Sequence, residues 1–326
     1  MPTPPLPLDS TNTSTPAPTP PPGSRHCGIV AIVGRANVGK STLINALVGE
    51  KISIVSPIAQ TTRNMIRGIL TQDRGQLVFM DTPGMHKAEH DLGRLMNRMA
   101  RAAAEGTDIV MLVFDASSSP RVEDDGWMRK LAAQPLPLVI VLNKQDLIAA
   151  KPISDQREQY RALWKKIMTD QQVEKPALWI DISAKDNQGL ETLLTLLFKS
   201  VPEGPLLFPE ETLSDFPRKL AMADVVREKL CCLLHEELPY SVAIHIHTID
   251  ETDAGLKVAG HVYVNKESQK AIVIGKNGRI LKQARIAAQR ELTQIYEKPV
   301  ALRLWVSVQK EWAKNPAFLR QLGYME

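Results

Sequence analysis

The chain has 326 residues, enough for two domains that each bury a core, and its 44% hydrophobic and 23% charged residues fit an ordinary soluble globular protein. The net charge of +4 is uneven: residues 215–326 hold 17 Lys/Arg against 13 Asp/Glu, and Lys266–Arg320 holds 12 against 4, so any polyanion is expected at the C-terminal end. Cys27 and the adjacent Cys231 and Cys232 exclude a disulfide framework and a zinc pattern, and no stretch reaches the roughly 18 uncharged apolar residues of a membrane span.

Residues 1–24 contain nine prolines, with Asp9 as the one charge, and lack the basic and apolar regions of a secretory signal. Such a segment cannot offset its ordering entropy by burial and reads as a disordered, partly polyproline-like tail. From Gly28 to about Ser200 strand and helix patterns alternate. The expected strands are Gly28–Gly34, Ile66–Gln72, Gln76–Asp81, Asp108–Asp115, Leu136–Asn143 and Ala177–Ser183. Helical patterns cover Thr42–Val48, Arg94–Glu105, Val122–Ala133, Ser154–Thr169 and Gly189–Ser200. Runs such as Ile109–Phe114 read as strands buried on both faces, which predicts a doubly wound α/β sheet over residues 25–200. The short turn Asp73–Gly75 implies one antiparallel hairpin in an otherwise parallel sheet.

Gly34-Arg35-Ala36-Asn37-Val38-Gly39-Lys40-Ser41, followed by Thr42, fits G-x-x-x-x-G-K-[ST] between a strand and a helix. Backbone N–H groups of such a loop form an anion nest, and the helix adds its positive end. Lys40 then reaches the β- and γ-phosphates, and the Ser41 hydroxyl ligates Mg²⁺.

Three further segments make the site specific for guanine. Asp81-Thr82-Pro83-Gly84 follows a strand, where Asp81 holds Mg²⁺ through water and the Gly84 N–H senses a γ-phosphate. Asn143-Lys144-Gln145-Asp146 ends the fifth strand. The Asp146 carboxylate accepts from the N1–H and exocyclic amine that guanine has and adenine lacks. Asn143 braces the loops, and the Lys144 stem lies along the base. Ser183-Ala184-Lys185 ends the last strand, where the Ala184 N–H is aimed at guanine O6. All four segments lie at carboxyl ends of strands, where open α/β sheets bind ligands.

The stretch Glu50–Arg63 is expected to be a switch in which Thr62, or else Thr61, completes the Mg²⁺ shell when γ-phosphate is present; Met85–Gly93 would be the second. Met85 stands where Ras-type GTPases carry the glutamine that orients water, so intrinsic hydrolysis is expected to be slow. Asn37, with Ser56, Ile58 and Thr61, is a candidate K⁺ ligand near the β–γ bridge. Equally, it suits the turn geometry of the loop.

Val201–Pro209 has three prolines and marks a linker, expected over 201–217. An α+β unit, 218–326, follows: a helix over Pro217–Glu237, strands Ser241–Asp250 and Leu256–Asn265, a short helix from about Ser268, a helix over Arg279–Tyr296, and strand Val300–Gln309. Gly275-Lys276-Asn277-Gly278 between two helices matches the GXXG loop of a type II KH module, which clamps a single-stranded backbone. Lys276, Arg279, Lys282 and Arg285 supply charge, and Ile272, Ile274 and Ile280 floor the expected groove. His245 and His247 read as exposed sheet residues, Trp305 and Trp312 as packing residues, and Leu230–Leu234 as core.

GRANVGKSTLINALVGEKISIVSP, AQTTR, DTPGMH, NKQD, SAK, ELPYSVAI, VIGKNG and the ending LGY together resemble the bacterial Era family, from about residue 26 to the C-terminus. The resemblance implies a cytoplasmic GTPase, sometimes peripheral on the inner face of the membrane; a monomer is expected, although the sequence does not set the oligomeric state. It implies Mg²⁺ and GTP/GDP at the first domain and 16S ribosomal RNA at the second, during small-subunit assembly coupled to cell growth and the cell cycle. RNA would be bound in the GTP state and released after hydrolysis. Lys276-Asn277 is transposed relative to the commoner Asn-Lys of the family. The alternative is a regulatory switch whose C-terminal unit docks a protein or an anionic membrane.

Overall fold

The computed structural model describes residues 25–53, 66–81, 106–152 and 155–324. The proline-rich segment, the first expected switch from residue 54 onward, the second expected switch and the helix expected over Arg94–Glu105 lie outside the described residues.

The first sheet is built from β1 His26–Val33, β2 Ile66–Gln72, β3 Gly75–Asp81, β4 Ile109–Asp115, β5 Leu138–Asn143 and β6 Leu178–Asp181. Their spatial order is β2-β3-β1-β4-β5-β6. All neighbours run parallel except β2 against β3, as the short turn between them requires. Every residue of β3, β4 and β5 is buried, because helices cover both faces. On one face α1 Lys40–Val48 and α5 Leu190–Ser200 pack against Ile32, Leu77 and Val113. On the other, α2 Val122–Ala132 and α4 Arg157–Gln171 cover Leu112, Phe114 and Leu142. After β1 the chain builds β3 on one side and β4 on the other, and this reversal places the carboxyl end of β1 at the topological switch point.

The proline-containing linker is strapped to this sheet. Ile69 N–H donates to the Leu213 carbonyl at 2.9 Å and Ser214 Oγ to the Arg67 carbonyl at 2.6 Å. The buried Gln76 side chain accepts from the Leu207 and Phe208 N–H groups, both at 2.8 Å, and donates to the Phe208 carbonyl at 2.9 Å.

The second unit carries a three-stranded sheet in the order β7-β8-β9. Its strands are Ala243–Thr252, Gly255–Val264 and Val300–Val308, the first pair antiparallel and the second parallel. Helix α6 Arg218–Cys231 and the long helix α9 Arg279–Tyr296 pack on one face of it, over Ile244, Val258, Val262 and Leu302. The buried stripe of α9 is Ala284, Ala288 and Leu292, one residue per turn, and its small side chains let the helix lie close. Helix α8 Glu267–Ile274 and a single 3₁₀ turn at Lys276–Gly278 lead into α9. This is the helix, strand, strand, helix, helix, strand order expected of a type II KH unit.

Three differences from expectation have local causes. The α6 helix ends at Cys231, not Glu237, and the chain turns so that Cys232 is exposed while Leu230, Cys231 and Leu234 stay in the core. Helices α3 Gln145–Ala150, α7 Leu238–Ser241 and α10 Pro316–Gln321 are too short to show a 3.6-residue period. Trp312 is fully buried against Phe318 and Leu322 with its indole N–H donating to the Ser241 carbonyl at 2.8 Å, as a packing residue should be. Trp305 is 47% exposed and packs only laterally, against His247 and His261. No helix among the described residues is long and apolar enough to cross a membrane.

Candidate functional site

The expected phosphate loop leaves β1 and enters α1 through Gly39, whose φ of +100° lies in the left-handed region. A Cβ at Gly39 would collide with the Asn143 amide, so this glycine also makes room for the loop's main brace. Asn143, 2% exposed, donates through Nδ2 to the Val38 carbonyl at 2.9 Å. Its Oδ1 accepts from the Ala184 N–H at 3.0 Å. One buried amide thus ties three segments, 105 and 41 residues distant, into one mouth at the strand ends.

Lys40 is buried, and its Nζ donates to the carbonyls of Gly34 at 3.0 Å and Arg35 at 2.9 Å. Burial pulls its pKa down to about 8, against the attraction of Asp81. Arg35 itself turns away, donating to Asp124 at 3.1 Å and Ser118 at 2.7 Å. That buried pair anchors the loop to α2 rather than offering a cation to phosphate. Asn37 stands exposed at φ +65°, which serves the turn reading of this residue without excluding the ion reading.

Asp81, buried at the end of β3, receives Ser41 Oγ at 3.0 Å and Ser53 Oγ at 2.7 Å on one carboxylate oxygen. A carboxylate and two hydroxyls converging beside the loop form an oxygen donor set of the kind a hard cation such as Mg²⁺ takes. Ser53 escaped the sequence reading because it sits at the start of an irregular stretch. It is held by Asn45, whose Oδ1 accepts from the Ile52 and Ser53 N–H groups at 2.9 and 2.8 Å.

On the base side, Asp146 accepts from Ser183 Oγ at 2.8 Å, which fixes the carboxylate. Lys144 takes a φ of +71° and donates to Asp115 at 2.8 Å. Burial pushes the Asp115 carboxyl up, but hydrogen bonds from Lys144 and Ser117 outweigh it and hold it below the usual carboxylate range. Asp115 was not foreseen, although its position was legible: it pairs in register with Asn143 at the ends of β4 and β5. The Ala184 N–H, expected to donate to guanine O6, donates to Asn143 Oδ1, a partner that the sequence did not reveal. Thr62, Thr82, Pro83, Gly84 and Met85, like Ser56, Ile58 and Thr61, lie outside the described residues.

In the second unit, Gly275, Asn277 and Gly278 have φ of +73°, +53° and +73°. A Cβ at Gly275 would press on Ile280 at 2.8 Å, whereas one at Gly278 would meet nothing within 4 Å. Gly275 therefore closes the loop onto α9, and Gly278 keeps its outer face open. The Lys276-Asn277 order has a physical sense, since Asn tolerates the left-handed conformation that Lys adopts less readily. Beside the loop runs an open groove of about 780 Å³, lined by Lys276, Asn277, Arg279, Lys282, Ile286 and Arg290 among others. Ile286 and Ala287 supply its apolar lining; of the isoleucines expected to floor the groove, Ile272 is exposed just before the loop and Ile280 packs under Gly275. Arg285 is not among the residues that line this groove and donates to Gln289 at 3.2 Å.

These two sites recur together in known proteins. A family model described as 50S ribosome-binding GTPase matches residues 29–144, and one described as KH domain matches residues 237–313. GTPase Era of Lacticaseibacillus paracasei is 38% identical over 300 residues, covering 92% of this chain and 97% of that protein. GTPase Era of Heliobacterium modesticaldum is 37% identical over 302 residues with the same coverages. The chain belongs to the Era family of GTPases.

Era structures share the whole architecture. A point variant of Aquifex aeolicus Era bound to GDP·AlF₄⁻ superposes with a TM-score of 0.82 at 35% identity, covering 92% of this chain and all of that one. Era in complex with MgGDPNP and nucleotides 1506–1542 of 16S ribosomal RNA superposes at 0.83 and 35% identity, covering 93% and 100%. As an Era-family member the protein binds guanine nucleotide with Mg²⁺ and hydrolyses GTP.

Proposed function

We propose that the protein is a GTP-controlled switch that binds 16S ribosomal RNA through its C-terminal unit and acts in small ribosomal subunit assembly. One observation carries the RNA half: the groove at the Gly275–Gly278 loop is lined by four cations, Lys276, Arg279, Lys282 and Arg290, and by no carboxylate among the described residues. The loop's open glycine fits a clamp on a phosphate backbone. The Era structure with bound 16S ribosomal RNA supports the same choice of ligand.

In this reading residues 25–200 hydrolyse GTP, 201–217 form the strap, and 218–326 bind RNA. The backbone of Gly34–Ser41 wraps the phosphates, and Lys40 exchanges its two carbonyl partners for phosphate oxygens. Ser41 and Asp81, with Thr62, hold Mg²⁺, which supplies charge neutralisation at the β- and γ-phosphates. Asp146, braced by Ser183, selects guanine; the Lys144 stem, held by Asp115, flanks the base. Guanine O6 is received by the Ala184–Lys185 backbone, with the Ala184 N–H shared between the base and Asn143. Met85 cannot orient the attacking water, so acceleration falls to another group or to K⁺ at Asn37. The place of action is the cytoplasm, and contact with the inner face of the membrane would appear as co-sedimentation with anionic vesicles.

The test is crosslinking and sequencing of bound RNA with a GTP analogue and with GDP. Enrichment of the 3′ region of 16S ribosomal RNA with the analogue is expected, and Gly278→Asp should weaken RNA binding while sparing GTP turnover. RNA affinity that survives Gly278→Asp would favour a C-terminal unit that docks a protein or a membrane.

A further inference from the structure

Helices α6 and α9 cover one face of the β7-β8-β9 sheet and leave the other uncovered by them. On that outer face the strand register lines up His245, His261 and Trp305 in one row across all three strands. An irregularity between Ile246 and Thr248 adds His247 beside them. The rings form a continuous layer: His247 lies 5.2 Å from His261 and 6.2 Å from Trp305, and His261 lies 5.6 Å from Trp305. One end of this layer is closed, where Phe318 stacks edge-on against Tyr263 at 4.9 Å. The other end opens onto Arg303 and Lys257, which register places on the same face, with Asp250 opposite Lys257. Lys219 reaches the His247 carbonyl at 2.7 Å from the side.

A half-exposed indole beside three imidazoles presents an aromatic layer on which another flat ring can stack. The imidazoles are not a metal centre: no group of three His, Cys, Asp or Glu able to hold an ion occurs among the described residues. Aliphatic side chains, which a packed protein partner would need, are absent from the row; Arg303, Lys257 and Lys219 around it outnumber Asp250. Burial, with His247 nearby, holds His245 and His261 below the ordinary histidine value, a shift toward the neutral ring. Stacking platforms flanked by cations are how proteins hold single-stranded nucleic acid without reading its sequence.

We propose that this outer sheet face is a second single-stranded RNA surface, on which an unpaired base stacks on Trp305 while Arg303, Lys257 and Lys219 take the neighbouring phosphates. It lies on the opposite side of the sheet from α9 and the Gly275–Gly278 groove. It deepens the RNA-binding reading above and rests on it for the class of ligand.

The test uses the full chain and fluorescein-labelled heptauridylate, with affinity read by anisotropy. Trp305→Ala should weaken binding by about tenfold or more, Trp305→Phe by much less, because a phenyl ring still stacks. Gly278→Asp should weaken binding separately, and the double variant should show the product of the two effects, as distant sites do. Unchanged thermal unfolding of Trp305→Ala would show that the exposed position is not needed for folding. Wild-type affinity in Trp305→Ala would overturn the proposal and leave the groove reading standing; it is also the result a protein occupant of this face would give. Loss in Trp305→Ala with none in Gly278→Asp would remove the groove reading and keep this one. No binding by the wild type would overturn both.

Discussion

Lys51 Nζ donates to the Glu228 carboxylate at 2.8 Å across the junction of the two units, and the same ammonium reaches Glu291 on α9. Lys51 lies two residues before Ser53, whose hydroxyl bonds the Asp81 carboxylate at the Mg²⁺ site. A three-residue stretch thus touches the nucleotide end of one unit and the RNA-facing helix of the other. A cavity of about 40 Å³ beside it, lined by Ser53, Val225 and Leu292, leaves little slack at this contact.

Lys51→Met should therefore remove one of the cations, with Lys229, that hold two largely buried carboxylates, at a cost of about 1–3 kcal/mol. Burial pushes the Glu291 carboxyl up, yet hydrogen bonds from Lys229 and Lys51 bring it below its ordinary value. A lowered carboxylate pKa stabilises the fold above the unfolded-state value and loses that contribution as pH falls through the folded one. Thermal unfolding at pH 7 should show the destabilisation, and the gap from wild type should narrow in acid. A gap that stays constant down to the acid transition would contradict the ion-pair account.

Removing the Asn143 amide should harm both fold and affinity. Asn143→Ala strands the Val38 carbonyl and the Ala184 N–H, each an unmade buried hydrogen bond worth about 1–3 kcal/mol. GDP affinity measured by fluorescent-nucleotide displacement should drop by roughly 100-fold, beyond what the loss of global stability explains.

The buried Lys40 makes nucleotide binding pH-dependent in a stated direction. Burial holds its pKa at about 8, and a bound phosphate anion raises it. Below pH 8 the ammonium is charged with or without nucleotide, so affinity is flat. Above pH 8 binding must restore a proton, and affinity falls by up to about tenfold per pH unit. The unfolded chain keeps that proton to higher pH, so the empty protein gains stability over the same interval. GDP titrations between pH 7 and 9 check the first statement, and urea unfolding without nucleotide checks the second.

Asp146→Asn should exchange base specificity. Xanthine has a carbonyl where guanine has its amine, which an amide can pair and a carboxylate repels. GDP affinity should fall by about 1,000-fold while XDP affinity rises. A variant that loses both nucleotides equally would mean that Asp146 acts through the fold, for example through Ser183, rather than on the base.

If Asn37 holds K⁺ beside the transferred phosphate, turnover should be at least about tenfold faster in KCl than in NaCl, and Asn37→Ala should abolish the difference. Equal rates in the two salts would leave Asn37 with its turn geometry alone.

The phosphate loop, the hairpin between Ile66 and Asp81 and the helix Arg279–Tyr296 were legible because their signals are local: fixed spacing, a short turn, an apolar period with glycine before it. The guanine-site residues were legible as strand-end positions, though not their partners. That the Ala184 N–H bonds Asn143, or that Arg35 faces Asp124, depends on which strands become neighbours. Helix periodicity shows which residues share a face but not where a groove lies, so the Ile286 and Ala287 lining beside the loop was not legible.

By itself the sequence determined the chemistry: a loop that binds phosphate, a carboxylate that selects guanine, a glycine-bracketed basic turn. Only the tertiary structure decided what joins these parts. Lys51 meets Glu228 and Glu291 across 177 and 240 residues of chain, a pairing no local pattern encodes. Alternation along β9 puts Arg303, Trp305 and Ser307 on one side of the strand. Which side the helices cover is settled by packing, because burying the Val258–Leu302 side removes continuous aliphatic surface from water. That choice left Trp305 outside.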